Sequence, residues 1–245
     1  MPSAPFDIWV FLGRSPLLWL TLTLLAYLAA VWLYRRSRGN PFLIPVLTAV
    51  IAIIGVLKLS GTPYPVYFDG TRLIHFWIGP ATVALAVPLY GQLDRLKQIW
   101  FPVSVALLVG SGVAIASAVL VAWALGGSLE TLMSLAPKSA TMPIAMAVAE
   151  RFGGLPSLAA FAVAVTGIVG TIMARPLLNG LRIHDPAVRG FAVGLTAHAI
   201  GTARELQLHP TAGAFAALAM GLNGVATALL MPLAVWLFHV AGLLS

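Results

Sequence analysis

Two stretches of this chain set ionisable and hydroxyl side chains in apolar surroundings, and they hold nearly all its capacity for chemistry. Residues 137–151, PKSATMPIAMAVAER, carry Lys138, Ser139 and Thr141 behind a proline and end in Glu150 and Arg151. Residues 195–210, LTAHAIGTARELQLHP, carry His198, Thr202, Arg204 and Glu205. A charge inside a bilayer is costly unless it is paired or faces a cavity, so these residues mark a candidate substrate path. Lys138 can neutralise a carboxylate, and a helix starting beside it offers free N–H groups and a positive dipole end to an anion. Its competing role is a snorkelling anchor at a helix start. In a helix, His198 and Thr202 share a face, whereas Arg204 and Glu205 point apart. Arginine grips a carboxylate in a two-pronged fork and histidine titrates near neutral pH. The second cluster therefore suits carboxylate recognition, with Glu205 or His198 carrying a coupling proton. Its competing role is a satisfied polar packing cluster.

Other polar residues read more plainly. Glu150 and Arg151 form an interfacial ion pair at a helix end. Asn223, inside an apolar helix, suits an interhelical hydrogen bond. Arg175 ends an apolar span as an interface anchor, and Asp69 with Arg72 makes a solvated pair. The tryptophans, among them Trp9, Trp19 and Trp236, lie mostly towards span ends, as interface aromatics do. The chain has no cysteine, which excludes disulfides and thiolate chemistry. His198, Glu205 and His209 lack a compact metal-ligand spacing, so neither metal nor cofactor is expected. Ser139 and His198 have no nucleophile-elbow context, and no enzymatic activity is expected.

The elements that must position these residues are membrane helices. The 245 residues are 60% hydrophobic and 9% charged, with a mean hydropathy of +0.97. Soluble domains carry about a quarter charged residues. The formal charge of +7 includes a juxtamembrane cluster, Arg35, Arg36 and Arg38, suited to an anionic leaflet. No basic run interleaves with aromatics, which excludes nucleic-acid binding. Asp7 and the single early basic residue Arg14 do not make a signal peptide, so the N-terminus reads as mature sequence.

Apolar runs of about 20 residues mark membrane helices. Six fit: 16–34, 42–59, 73–90 (broken near Gly79 and Pro80), 99–125, 155–178 and 212–238. The fold expected is an all-α integral membrane protein, with six transmembrane helices plus two short broken or re-entrant helical segments. The basic residues place the first loop in the cytoplasm and the N-terminus outside. Arg95 and Lys97 then lie inside. Residues 137–151 are short for a crossing, and re-entry from one side would also bring Arg182 and Arg189 inside, as the charge rule prefers. Irregular backbone at that depth must lie within protein or beside a water-filled cavity.

A repeat supports this layout. Ala160, Phe161, Ala162, Gly167, Gly170 and Ala174 recur as Ala214, Phe215, Ala216, Gly221, Gly224 and Ala228, each set following one polar segment. A weaker echo pairs Pro80-Ala81-Thr82 with Ser139-Ala140-Thr141. The expected organisation is an N-terminal two-helix hairpin, 1–60, and a core, 61–245, with units near 73–125, 137–178 and 195–238. Units inverted in the membrane, with broken helices meeting at its middle, are a transporter signature. Small-residue faces at Gly110/Gly112 and Gly221/Gly224 suit internal packing or a homodimer.

Four stretches, GPATVALAVPLY (79–90), PKSATMPIAMAVAE (137–150), RGFAVGLTAHAIGTARE (189–205) and GAFAALAMGLNGV (213–225), closely resemble the LrgB/CidB family of bacterial membrane proteins. The resemblance covers roughly residues 40–240. One departure is Ala197, where the family pattern has serine before His198. The resemblance implies a multi-pass protein of the bacterial inner membrane and a separately encoded LrgA/CidA-like membrane partner. It also implies two functions. One is carriage of small monocarboxylates such as glycolate, glycerate or pyruvate, since a plastid relative translocates glycolate and glycerate. The other is holin/antiholin-like modulation of murein hydrolase export and autolysis. Lys138, Ser139, Thr141, His198, Thr202 and Arg204 around one small carboxylate favour the carrier, because a lesion-forming holin has no need of buried cations. A scaffold that only stabilises its partner is the third possibility.

Overall fold

The computed structural model describes residues 16–37, 40–84, 87 and 90–240. The expectations for Asp7, Trp9, Arg14, the N-terminus and Arg38 lie outside the described residues, as do the side chains of Ala81 and Thr82. Among the described residues every regular element is helical. The chain divides into two compact units, 1–84 and 85–245.

The first unit contains α1 (Pro16–Arg36), a 3-10 turn (Pro41–Leu43), α2 (Pro45–Ser60), α3 (Tyr64–Gly70) and α4 (Arg72–Ala84). α1 ends on Arg35 and Arg36, where the negative end of the helix dipole favours cations. α2 starts on a proline, whose missing N–H costs nothing there, and stops at Gly61, whose φ of 65° glycine supplies without strain. Trp19 departs from the expected interface role: it is only 1% exposed. It lies over Gly70, where a Cβ would come within 2.8 Å of it. Its ring meets Tyr67 edge-on at 5.9 Å, and the Tyr67 hydroxyl bonds Thr23 Oγ1 at 3.1 Å.

The second unit contains α5 (Leu93–Gln98), α6 (Trp100–Ala124), α7 (Leu129–Leu135), α8 (Met142–Arg151), α9 (Pro156–Gly180), α10 (Pro186–Leu208) and α11 (Pro210–Val240). Among the described residues four helices are long and apolar enough to cross a membrane: 17–36, α6, α9 and α11. They correspond to four of the six expected spans. The second expected span is the 16-residue α2, about 24 Å long, and the third is described as a helix only to Ala84.

Both polar segments fold as hairpins. In the first, α7 and α8 flank a tip at 136–141. The chain leaving α8 returns to α7: Leu155 N donates to Ser134 Oγ at 2.7 Å, and a Cβ on Gly154 would lie 2.6 Å from the Ser134 nitrogen. The second hairpin is α10 itself. His198 breaks it with φ 41° and ψ −129°, values close to the first central position of a type II′ turn, which glycine usually occupies. Beyond it Gly201 packs on Val193 and Ala197, where a Cβ would fall 2.6 and 2.7 Å from their side chains. Residues eight apart in a straight helix are separated by about 12 Å, so the chain has turned back.

α11 then runs parallel to the entering limb of α10. A Cβ on Gly190 or Gly194 would overlap the carbonyl oxygen of Ala212 or Ala216, so these backbones touch as only small residues permit. Phe191, Leu195, Phe215 and Ala219 complete that seam. The first hairpin precedes α9 and the second follows it, so they enter from opposite ends of this 25-residue helix. Arg95 Nη2 contacts Asp185 Oδ2 at 2.7 Å, which sets the start of α6 and the loop after α9 at one end. Residues 137–151 thus leave and rejoin the bundle at the end away from that contact.

Candidate functional site

The hairpin tips meet at Asn223, which is fully buried half-way along α11. Its Nδ2 donates to Ser139 O in the first tip at 2.8 Å and to Leu195 O, just before the second reversal, at 3.1 Å. Its Oδ1 accepts from Ser111 Oγ at 2.6 Å. Reversing a chain inside an apolar bundle strips carbonyls of their helical partners, and each needs a replacement donor. One amide with two N–H groups serves both breaks. The expected interhelical bond of Asn223 is therefore present and joins three elements. Ser111 was missed, because a serine in an apolar run near Gly110 and Gly112 reads as small packing.

His198 seals its own reversal. Its Nε2 donates to Val163 O, in α9, at 2.9 Å; a carbonyl only accepts, so Nε2 carries the proton in this bond. The ring sits over Gly167, where a Cβ would lie 2.5 Å from His198 Cε1. The repeated glycine thus makes room for the imidazole. Its partner in the pattern, Gly221, faces open space, whereas Gly224 lies under Ile144 of α8. His198 and Thr202 do not form the regular helical face expected of them, because the break falls on His198 itself.

Lys138 stands in the first tip, half-buried, and its ammonium makes no ion pair or hydrogen bond among the described residues. Among the described residues it is the one charged residue lining a cavity of about 430 Å³ between α9 and the entering limb of α10, with Thr166, Gly170, Thr196 and Ala197 among the walls. Ser139 Oγ and Thr202 Oγ1 are buried without a hydrogen-bond partner. Buried hydroxyls left unpaired cost free energy, so they mark places where a polar ligand or water gains. Thr141 is the residue before α8 and makes no side-chain cap bond.

Arg204 and Glu205 line a different cavity, of about 310 Å³, with Arg175, His184, Arg189 and His209. The returning limb carries Arg204 six residues past the tip, about 9 Å along a helix. Arg204 Nη1 donates to Thr171 O at 2.6 Å. Glu150 is exposed at the end of α8, and among the described residues it forms no ion pair with Arg151. Adjacent helical residues point in different directions, which accounts for the missing pair. Among the described residues no cluster of histidine and carboxylate groups could hold a metal ion.

Asp185 lies outside the apolar spans and caps α10, accepting from Ala187 N at 2.7 Å and Val188 N at 3.2 Å. Partial burial pushes its carboxyl up, but those two amides and the Arg95 charge outweigh this and hold it below its ordinary value.

A family model described as the LrgB-like family matches residues 23–237. The protein YxaC of Bacillus subtilis (strain 168), described as uncharacterized, is 38% identical over 219 residues, covering 89% of this chain and 95% of its own. Proteins named antiholin-like protein LrgB from Bacillus mycoides (strain KBAB4) and Bacillus cereus (strain B4264) are each 31% identical over the same shares. No solved structure gives a significant match.

Proposed function

The chain belongs to the LrgB-like family, and from that premise we propose that it is a membrane carrier for small monocarboxylates of the glycolate, glycerate or pyruvate kind. One observation carries this reading. Two hairpins from opposite ends of α9 are tied together half-way along α11 by Asn223, beside an ammonium, Lys138, that forms no ion pair among the described residues. Broken helices meeting at mid-membrane are how carriers bind ions without exposing backbone to lipid. In this mechanism Lys138 holds the carboxylate, and Ser139 and Thr202 donate to its oxygens or to a substrate hydroxyl. His198 keeps the second tip closed. Arg204 and Glu205 stand on the approach from the Arg95–Asp185 end, and Glu205 carries the coupling proton there.

The same reading takes the two halves of the core as an inverted repeat within six spans. The Arg-rich end, with Arg95, Lys97, Arg175, Arg182 and Arg189, faces the cytoplasm of a bacterial inner membrane, and the N-terminus lies outside. An LrgA-like membrane partner, or a second copy of the chain, completes the assembly. No covalent chemistry is involved.

A second reading rests on the names of relatives. Two proteins 31% identical to this chain are called antiholin-like protein LrgB, which supports a modulator of holin lesions and of murein hydrolase export. Proteoliposomes separate the two. Saturable uptake of labelled glycolate, glycerate or pyruvate, lost in Lys138→Ala, is expected of the carrier. Unselective release of a trapped dye without saturable uptake, with or without an LrgA-like partner, would overturn it in favour of the second reading.

A further inference from the structure

The reversal at His198 has a second consequence, away from the tips. It gathers basic side chains round one cavity of about 310 Å³: Arg175 of α9, His184 of the following loop, Arg189 of the entering limb, Arg204 of the returning limb and His209 just beyond it. One carboxylate, Glu205, shares the lining.

Two of the guanidinium groups are held by neutral acceptors alone. Arg204 Nη1 donates to Thr171 O at 2.6 Å. Arg189 Nη1 donates to Asn179 Oδ1 at 2.9 Å and Ile183 O at 2.8 Å. Such bonds fix the position of a guanidinium without neutralising its charge. They also engage the same nitrogen in both residues. The other edge, Nε–H with Nη2–H, is the one that grips two oxygens of a single oxyanion. That edge makes no hydrogen bond in either arginine among the described residues, and Arg204 Nε is buried without a partner. Among the described residues no salt bridge joins Glu205 to any of these arginines. Three guanidinium charges against one carboxylate leave a surplus of about two, which a monocarboxylate does not satisfy and a dianion does.

We propose that this basin binds a doubly charged phosphate-type oxyanion, either free or as the phosphomonoester headgroup of a lipid. Lys138 does not line it, so the basin stands whether or not the chain carries monocarboxylates. The test uses the purified full chain in detergent. Inorganic phosphate is titrated in chloride buffer by calorimetry, and phosphatidic acid is compared with phosphatidylcholine by native mass spectrometry. Saturable binding of phosphate identifies a free ligand, and selective retention of phosphatidic acid alone identifies a lipid. Arg204→Gln and Arg189→Gln should each weaken binding about tenfold or more. Glu205→Gln should tighten it, and binding should persist in Lys138→Ala. The proposal is overturned if neither phosphate nor phosphatidic acid binds, if Glu205→Gln leaves binding unchanged or weaker, or if Lys138→Ala abolishes it.

Discussion

The two hairpins reach the same depth by different means. In the first, the tip is a loop of several residues behind Pro137, with separate short helices on either side. In the second, one residue, His198, turns a continuous helical run back on itself. The second is the tighter: its limb lies backbone to backbone on α11 at Gly190 and Gly194, and its tip is bonded to α9 through Val163 O. Among the described residues the first keeps an ammonium without a counter-charge and a buried hydroxyl, Ser139 Oγ, without a bond. The second tip is closed by a structural bond, with Thr202 Oγ1 still unpaired beside it, whereas the first tip keeps both a hydroxyl and an ammonium for a ligand.

The largest expected effect breaks the second hairpin. Gly194→Ala puts a Cβ onto the Ala216 carbonyl, and backbone cannot step aside as a flexible side chain can. It should cost about 3 kcal/mol or more, read as a collapse of the melting temperature or of folded yield in size-exclusion chromatography. A variant melting with the parent would show that this seam is not the close contact described. Next is the clasp. Asn223→Ala leaves Ser139 O, Leu195 O and Ser111 Oγ without their donor or acceptor, at about 2–4 kcal/mol. If uptake and stability both survive, the tips do not depend on one amide.

The third prediction sharpens the contrast. Lys138→Ala should lower carboxylate uptake at least about tenfold and barely move the melting temperature, since the ammonium has no partner to lose. His198→Ala should do the reverse in rank, costing about 1–2 kcal/mol through its bond to Val163 O. Equal loss of stability in both variants would erase the distinction between the hairpins.

The smallest effect concerns the base of the second hairpin. Asp185 is held below its ordinary value, so its contribution to stability is complete above the unfolded carboxyl value and lost as pH falls through the lower folded one. Its side chain is 46% exposed, so the ion pair is screened and capping dominates. Asp185→Asn, which still caps, should cost at most about 1 kcal/mol near neutral pH. The gap to the parent should close below about pH 4. A difference that grows on acidification would contradict the cap and ion-pair geometry.

Much of the hairpin arrangement was legible beforehand. Residues 137–151 were short for a crossing, and the basic loop carrying Arg182 and Arg189 called for a return to the same side; in the structure Arg95 and Asp185 lie in contact at one end of the bundle. Asn223 read as an interhelical bond. The division of the polar residues was not legible. Lys138 and Arg204 seemed alike, two cations near hydroxyls, yet they line different cavities. The difference arises at His198, whose reversal carries Arg204 away from the tip. No residue type announces that reversal, because the backbone conformation is one that glycine usually supplies. Trp19 was misread for a related reason: nearness to a span end says nothing about the Gly70 surface that covers it.

The amino-acid sequence by itself determined the solvent and the repertoire. Apolar runs of membrane length, scarce charges and basic loops follow from local composition, because a bilayer penalises each unpaired polar group wherever it occurs. The two interruptions, their cations and hydroxyls, and the family all follow from that level. Only the tertiary structure decided which groups are spent and which remain free. Asn223 and His198 satisfy carbonyls that the chain reversals expose, and those carbonyls exist only once residues far apart in the chain are packed together. Among the described residues Lys138 forms no ion pair, a property of the assembled bundle and of no single segment.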